Sequence, residues 1–396
     1  MARIDRRDFL KGSAALGGAA LLAGCGSSSG IKAETGGGSA VSGPAVTYSG
    51  DISNEPNKLV ISEWPGYEAG GTKAQTYGLL AGKSYTNEYG ASGLKYADYG
   101  NDDKCLNAMK AGQKFDLLHP CVGYVHDYVN AGVVEPFDTS LLSNFPNLYP
   151  EMTARGVIDG QQYWIPWDWG FSSILYRTDK VDPADAAEGW GLFWNEKYSG
   201  KISMWDGGST PVIIAGLVMD PPAKDIDNMT PDELDRAKEL LIKQKPLNKF
   251  YWTSEYGNMQ PGFKSGDIWI TYSWANDYTD MGKALGFDKV DFMGAPKQGT
   301  LAWICGFMMG KGTESPLHAH AYVDSFIAHK PCVQLTNLFA YGAADKTITP
   351  DEITNADLAA KLKIGDPHAL DPPVKLDAFI PNRTEYQRIW AEVKAS

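Results

Sequence analysis

"YWIPWDWGFSSILYRTDKV", Tyr163 to Val181, is the stretch whose reading decides the fold. Trp164, Trp167 and Trp169 surround Pro166, and Gly170 then leads into an apolar run. A continuous apolar run of this kind reads as a strand buried on both faces. Burial explains the residues after Gly170. It leaves open why so much aromatic surface gathers beside a proline and a glycine.

The segments upstream follow one grammar. "NKLVISEW" alternates apolar and polar residues up to Trp64 and is stopped by Pro65 and Gly66, as a strand entering a loop. "DKCLNAMKAGQ" places Cys105, Leu106 and Met109 at helical spacing, with Gly112 as a C-cap. "FDLLHPCVGYV" returns to a buried strand, and "YVHDYVNAGVVEPFD" forms a short helix and exit. Strand, helix, strand, helix predicts an α/β lobe with a mainly parallel sheet. Downstream the pattern restarts. "GKISMWDGGST" and "GDIWITYSWAND" read as strands, "TPVIIAGLVM" as an apolar helix, and "TPDELDRAKELLIKQK" as a helix opened by a Thr230–Glu233 capping box. A length of 396 residues calls for about two domains.

The N-terminus stands apart from the fold. Arg6 and Arg7 precede a short Ala/Leu/Gly run that is too brief for a membrane-spanning helix, and so read as a twin-arginine export signal over residues 1–24. "LAGC", Leu22 to Cys25, is similar to a lipobox, which makes Cys25 the lipid-bearing residue of the mature chain. From there to Asn57 the chain is rich in Gly, Ser, Ala and Thr and predicts a flexible tether over 25–57. The net charge of -12 argues against nucleic acid, since no basic stripe can neutralise phosphates. Loss of Arg3, Arg6, Arg7 and Lys11 against Asp5 and Asp8 leaves the mature chain more acidic still.

"IPWDWGFSSILYRTDKV" resembles the lobe-crossing segment of bacterial polyamine-binding proteins, the spermidine/putrescine class of periplasmic solute-binding proteins. "ISEWPGY", "KFDLLHPC", "GVVEPFDTSLLSNFPNLYP", "FWNEKYSGKISMWD", "GDIWITYSWAND" and "GAPKQGTLAWICGF" are similar to successive segments of that family, in family order, over roughly residues 57–341. The resemblance implies a two-lobe, type II periplasmic-binding-protein fold with the ligand between the lobes. Lobe one would combine 58–165 with 300–345, lobe two would be 166–299, and a helical tail, 346–396, would pack on both. The aromatics of the opening stretch would then face the interlobe cleft, with Gly170 letting the strand bend.

The resemblance also implies site residues. Trp64 and Tyr67 match an aromatic pair set against the ligand chain, and Trp274 and Asp277 match an aromatic and a carboxylate that receive an ammonium. Trp252 and Trp303 fall at or beside cleft positions, and Asp206 is the acid left in the lobe-two loop. Indole faces attract cations, each by about 0.5–2 kcal/mol when desolvated, and a carboxylate adds a charge-assisted hydrogen bond. Asp277 has a plainer reading as an N-cap or a solvated loop acid. Several family acids are missing: Pro65 and Gly66 follow the first tryptophan, Gly207 and Thr210 stand in the lobe-two loop, Cys305 replaces another acid, and Cys121 replaces a serine. The resemblance makes polyamine the first expectation, and these departures make a quaternary amine, a betaine or an amino-acid derivative its competitor. Cys121 and Cys305 read as inert thiols by default. A disulfide, or a soft-ligand site with His119, is the alternative.

The resulting expectation is an extracytoplasmic, monomeric lipoprotein serving the permease and ATPase of an ABC importer. It would have no catalytic residue, metal or cofactor, and it would touch the membrane through its lipid alone. His318 and His320 point to different faces of a helix, and no GxSxG, HExxH, Walker or GxGxxG pattern signals an enzyme. An iron-type binder lacks its tyrosine pair. Presentation of the ligand to a signalling receptor remains an alternative to import.

Overall fold

The structure, a computed structural model, describes residues 46–64, 66–69, 80–97, 101–253, 257–366 and 368–396. The export signal and Cys25 lie outside the described residues. One sheet carries the fold. The main strands of this twelve-stranded sheet are β1 (Leu59–Ser62), β2 (Leu94–Ala97), β3 (Leu117–Leu118), β4 (Ile165–Arg177), β5 (Ile202–Trp205), β6 (Asn248–Trp252), β7 (Ile270–Trp274) and β8 (Leu301–Gly310). They lie in the order β2-β1-β3-β8-β4-β7-β5-β6. The outer threes are parallel, β2-β1-β3 on one side and β7-β5-β6 on the other. Between them the long strands β8 and β4 run antiparallel and belong to both halves. Two mainly parallel α/β lobes joined by two crossings is the architecture expected from the sequence.

Every residue of β4 except Tyr176 is buried, as a strand covered on both faces requires. Its tryptophans correct the expectation that they face the cleft. Trp167 packs against Tyr67, His119, Phe307 and Phe326 in the lobe-one core. Trp164 donates its indole N–H to Pro120 O at 3.1 Å, and Trp169 donates to Ala343 O at 3.0 Å. Gly170 has a packing role. A Cβ there would meet Trp303 Cζ2 at 2.7 Å, so the missing side chain makes room for the indole of the neighbouring strand.

The tether ends earlier than Asn57. Glu55 accepts from the N–H groups of Leu317 and His318 at the start of the helix Pro316–Phe326, where a carboxylate complements the helix dipole. Tyr48 donates its hydroxyl to Pro136 O. These two side chains hold residues 48–55 on lobe one. At the other end, the tail adds β9 (Lys375–Leu376), parallel to β8, and the helix Arg383–Ala395.

Candidate functional site

The register of β4 against β8 builds the floor of the site. Cα partners are Ser172 with Leu301, Gly170 with Trp303, and Asp168 with Cys305. Paired residues of an antiparallel ladder project from the same face, so this set shares one surface while Trp169 and Ile304 share the other. A cavity of about 750 Å³ lies over that surface, with Trp64, Tyr67, Trp205, Trp274, Trp303 and Tyr341 among its walls.

Each wall has a local cause. Trp64 follows β1 and is fixed by its indole N–H donating to His119 O at 2.8 Å. Tyr67 is stacked on Phe339 at 4.7 Å and reaches the cleft at its edge. Trp303 stands edge-on to Tyr341 at 4.8 Å, and its buried Nε1 has no hydrogen-bond partner among the described residues. Trp274 closes β7 and meets Trp205 edge-on at 5.1 Å. Gly207 is set by Trp205, because a Cβ at Gly207 would occupy the volume of that indole. The loop thus trades a side chain at 207 for an aromatic wall.

Of the nine expected contact residues, the cavity gathers Trp64, Tyr67, Cys121, Trp274, Trp303 and Cys305. The other three are corrections. Asp277 lies in the first turn of the helix Ala275–Leu285, fully buried, accepting from Ser273 Oγ at 2.6 Å and Gln260 Nε2 at 2.9 Å. Burial pushes its carboxyl up to about 6. Asp206 turns outward to the tail, accepting from Trp390 Nε1 at 2.6 Å and Lys394 Nζ at 2.8 Å. Trp252 is buried behind the wall, edge-on to Trp205 and Trp274. Cys121 and Cys305 are also not inert thiols. They form a disulfide across an isolated antiparallel bridge, while Cys105 and Cys332 are free and buried. The soft-ligand idea falls with it, since both sulfurs are consumed and both ring nitrogens of His119 face carboxylates.

The cavity holds charges that the sequence reading missed. Glu68, Asp102, Asp103, Asp168, Asp227 and Asp377 line it, against Lys375 and Arg383. Asp102 and Asp103 open the helix Asp102–Lys110. Burial pushes Asp102 up to about 8 and Asp227 up to about 7, and it raises Asp377 as well. Arg383 is already engaged: Nε donates to Asp127 at 3.3 Å, Nη2 donates to Gly123 O at 2.6 Å, and the guanidinium lies 3.8 Å from the centre of the Tyr124 ring. Its tail neighbour Asp377 accepts from Gly123 N–H. The tail thereby walls one end of the cleft, which no feature of its sequence announced.

Comparison with known proteins follows the same lines. The profile of the family described as "Bacterial extracellular solute-binding protein" matches residues 91–360, and that of the twin-arginine translocation signal matches residues 3–23. The putrescine-binding periplasmic protein PotF of Escherichia coli (strain K12) is 25% identical over 380 residues, 87% of this chain and 94% of its own length. A putative spermidine/putrescine ABC transporter structure from Listeria monocytogenes superposes with a TM-score of 0.70 at 14% identity, covering 86% of this chain and 99% of that one. The binding protein MotA from A. tumefaciens B6, in complex with glucopine, superposes with a TM-score of 0.63 at 14% identity, covering 85% and 99%. The last two likenesses concern the fold.

Proposed function

We propose that this chain, which belongs to the bacterial extracellular solute-binding proteins, captures a small organic cation of the polyamine class between its lobes and delivers it to the permease and ATPase of an ABC importer. The observation that carries the reading is the acidity of the cleft: six acidic side chains against two basic ones, under walls of indole. Acids stand on both sides, Glu68, Asp102 and Asp103 from lobe one, Asp168 from the crossing strand and Asp227 from lobe two, so each end of a diamine has an acidic side chain within the cleft. Acids missing at Gly66, Gly207, Thr210 and Cys305 are replaced from other positions. The relative named for putrescine points to the same ligand class.

The protein does no chemistry on its solute in this reading. Lobe closure sequesters the ligand, and energy comes from the partner ATPase. The twin-arginine signal accounts for export, and Cys25 is the lipid anchor of a monomer held outside the cytoplasm. A second reading, a zwitterion such as an amino-acid derivative, has one specific support. Ser209, buried and lining the cleft before the helix Thr210–Val218, has an Oγ without a hydrogen-bond partner among the described residues, and Lys375 lines the same cavity.

A thermal-shift screen of the mature domain separates the readings, since a ligand at 100 times its Kd stabilises by about 2.7 kcal/mol. Putrescine, spermidine, choline, betaine, amino acids and opine-like compounds form the panel. The polyamine reading expects the diamines to give the largest shift. A shift with anions alone contradicts it, and a shift with amino acids alone selects the zwitterion.

A further inference from the structure

Behind the cleft floor lies a buried row of three ionisable groups, Glu63, His119 and Asp168, each with a side chain at most 3% exposed. His119 Nδ1 lies 2.5 Å from Glu63 Oε1, and Nε2 lies 3.3 Å from Asp168 Oδ1. Glu63 Oε1 also accepts the Trp64 N–H at 2.8 Å. We propose that Asp168 is the carboxylate that receives the ligand's ammonium group, positioned from behind by His119 and Glu63 and rimmed by Trp64, Trp303 and the Cys121–Cys305 bridge. The inference rests on the cationic ligand argued above and names its anchor.

Charge balance is the reason. Burial alone would keep the imidazole neutral, but Glu63 and Asp168 together hold it protonated, with a pKa of about 10. Burial also raises the pKa of Glu63, and one imidazole is then shared between two acids. The shorter contact assigns it to Glu63, and Asp168 is left with the longer, weaker one. No lysine or arginine among the described residues pairs with either acid. An unbalanced buried anion is costly unless a cation completes it. Asp168 is the member of the row that opens onto the wide cleft, and among the described residues its only side-chain partner is His119.

The ring above it is ready for such a cation. Asp168 is the register partner of Cys305, two residues along from the Gly170–Trp303 pair. Trp64 hangs from His119 O. Aromatic faces and a disulfide exclude water, which strengthens a charge-assisted bond. Neither Asp277 nor Asp206 can serve, because each already has partners away from the cavity.

Asp168→Asn keeps the shape and removes the charge. With putrescine as the probe, calorimetry should show affinity weakened by about 30-fold or more. The ligand-free unfolding midpoint should stay at or above that of the unaltered chain, because an unbalanced buried charge has gone. Affinity retained within about threefold overturns the inference, as does a loss of affinity that merely accompanies a lowered midpoint. A structure of the unaltered protein with putrescine answers without any variant having to fold. An ammonium nitrogen within about 3.2 Å of Asp168 Oδ2 supports the assignment, and nitrogens paired only with Asp227 or Asp377 refute it. If the unaltered protein binds no amine, the cationic reading itself fails and takes this inference with it.

Discussion

The two crossing strands lie side by side, and both carry tryptophan, yet they do opposite work. β4 turns Trp167 and Trp169 into the core and shows Asp168 to the cleft, whereas β8 shows Trp303 and Cys305. Parity along each strand makes the difference, since neighbouring residues face opposite sides. On β4 the even positions reach the ligand side, and on β8 the odd ones do. The comparison teaches that aromatic density alone does not mark a ligand wall. What marks it is which residue the partner strand brings onto the same face.

Exchanging the roles of the two tryptophans is the strongest way to break that comparison. Trp167→Ala should cost about 3–5 kcal/mol of stability, as large buried aromatics do, with the loss read by chemical denaturation. Trp303→Ala should leave most of the stability and weaken putrescine binding by about 0.5–2 kcal/mol. Equal stability losses from both would show that the two faces are alike.

The disulfide joins β8 to the loop before Val122, across a sequence separation of 184. Its removal by Cys121→Ser with Cys305→Ser should cost about 2–5 kcal/mol in the ligand-free domain. Thiol titration of the denatured domain, without Cys25, should give two free thiols before reduction and four after, since Cys105 and Cys332 are unpaired. Four before reduction would remove the bridge.

Cleft acidity sharpens the comparison through pH. Asp102 and Asp227 have folded-state pKa values raised by burial to about 8 and about 7. They keep protons that the unfolded chain has released, so the ligand-free domain should lose stability as pH rises through 4 to 8. A bound diamine favours their ionised forms. Putrescine affinity measured by calorimetry should therefore rise from pH 6 to pH 8, by at most about tenfold per pH unit for each proton displaced. A flat profile would show that neither group meets the ligand.

The smallest effects belong to the acids that left the cleft. Asp206→Asn loosens a partly exposed contact with Lys394 and should change stability by about 1 kcal/mol or less. Putrescine affinity, followed by the same titration, should hold within about threefold for this variant. A larger fall would return Asp206 to the ligand.

Much of the fold was legible because its signals are local. The strand at Leu59–Ser62, the helix at Asp102–Lys110 and the Thr230–Glu233 capping box rest on spacing and caps within one segment. The crossing strands were legible as strands, and Trp64, Trp274 and Trp303 all line the cavity. The pairing of Asp168 with Cys305 was not, because register between strands more than a hundred residues apart leaves no local trace. Asp168 sat in plain view in "WDW", but its neighbours drew the reading. Asp277 was placed in the cleft by analogy, whereas Ser273 and Gln260 hold it inside lobe two. A tail packing on the lobes was expected, but its share in the cleft was illegible for the same reason as the register: Arg383 and Asp377 owe their places to Gly123 and Tyr124, far away in sequence.

The central claim is that a charged amine is what the cleft holds. Calorimetric titration of the mature domain with putrescine, beside its uncharged analogue 1,4-butanediol, tests it most directly. The account predicts saturable one-to-one binding of the diamine and no measurable heat from the diol. Equal binding of both, or binding of neither alongside tight binding of an anion, would contradict it.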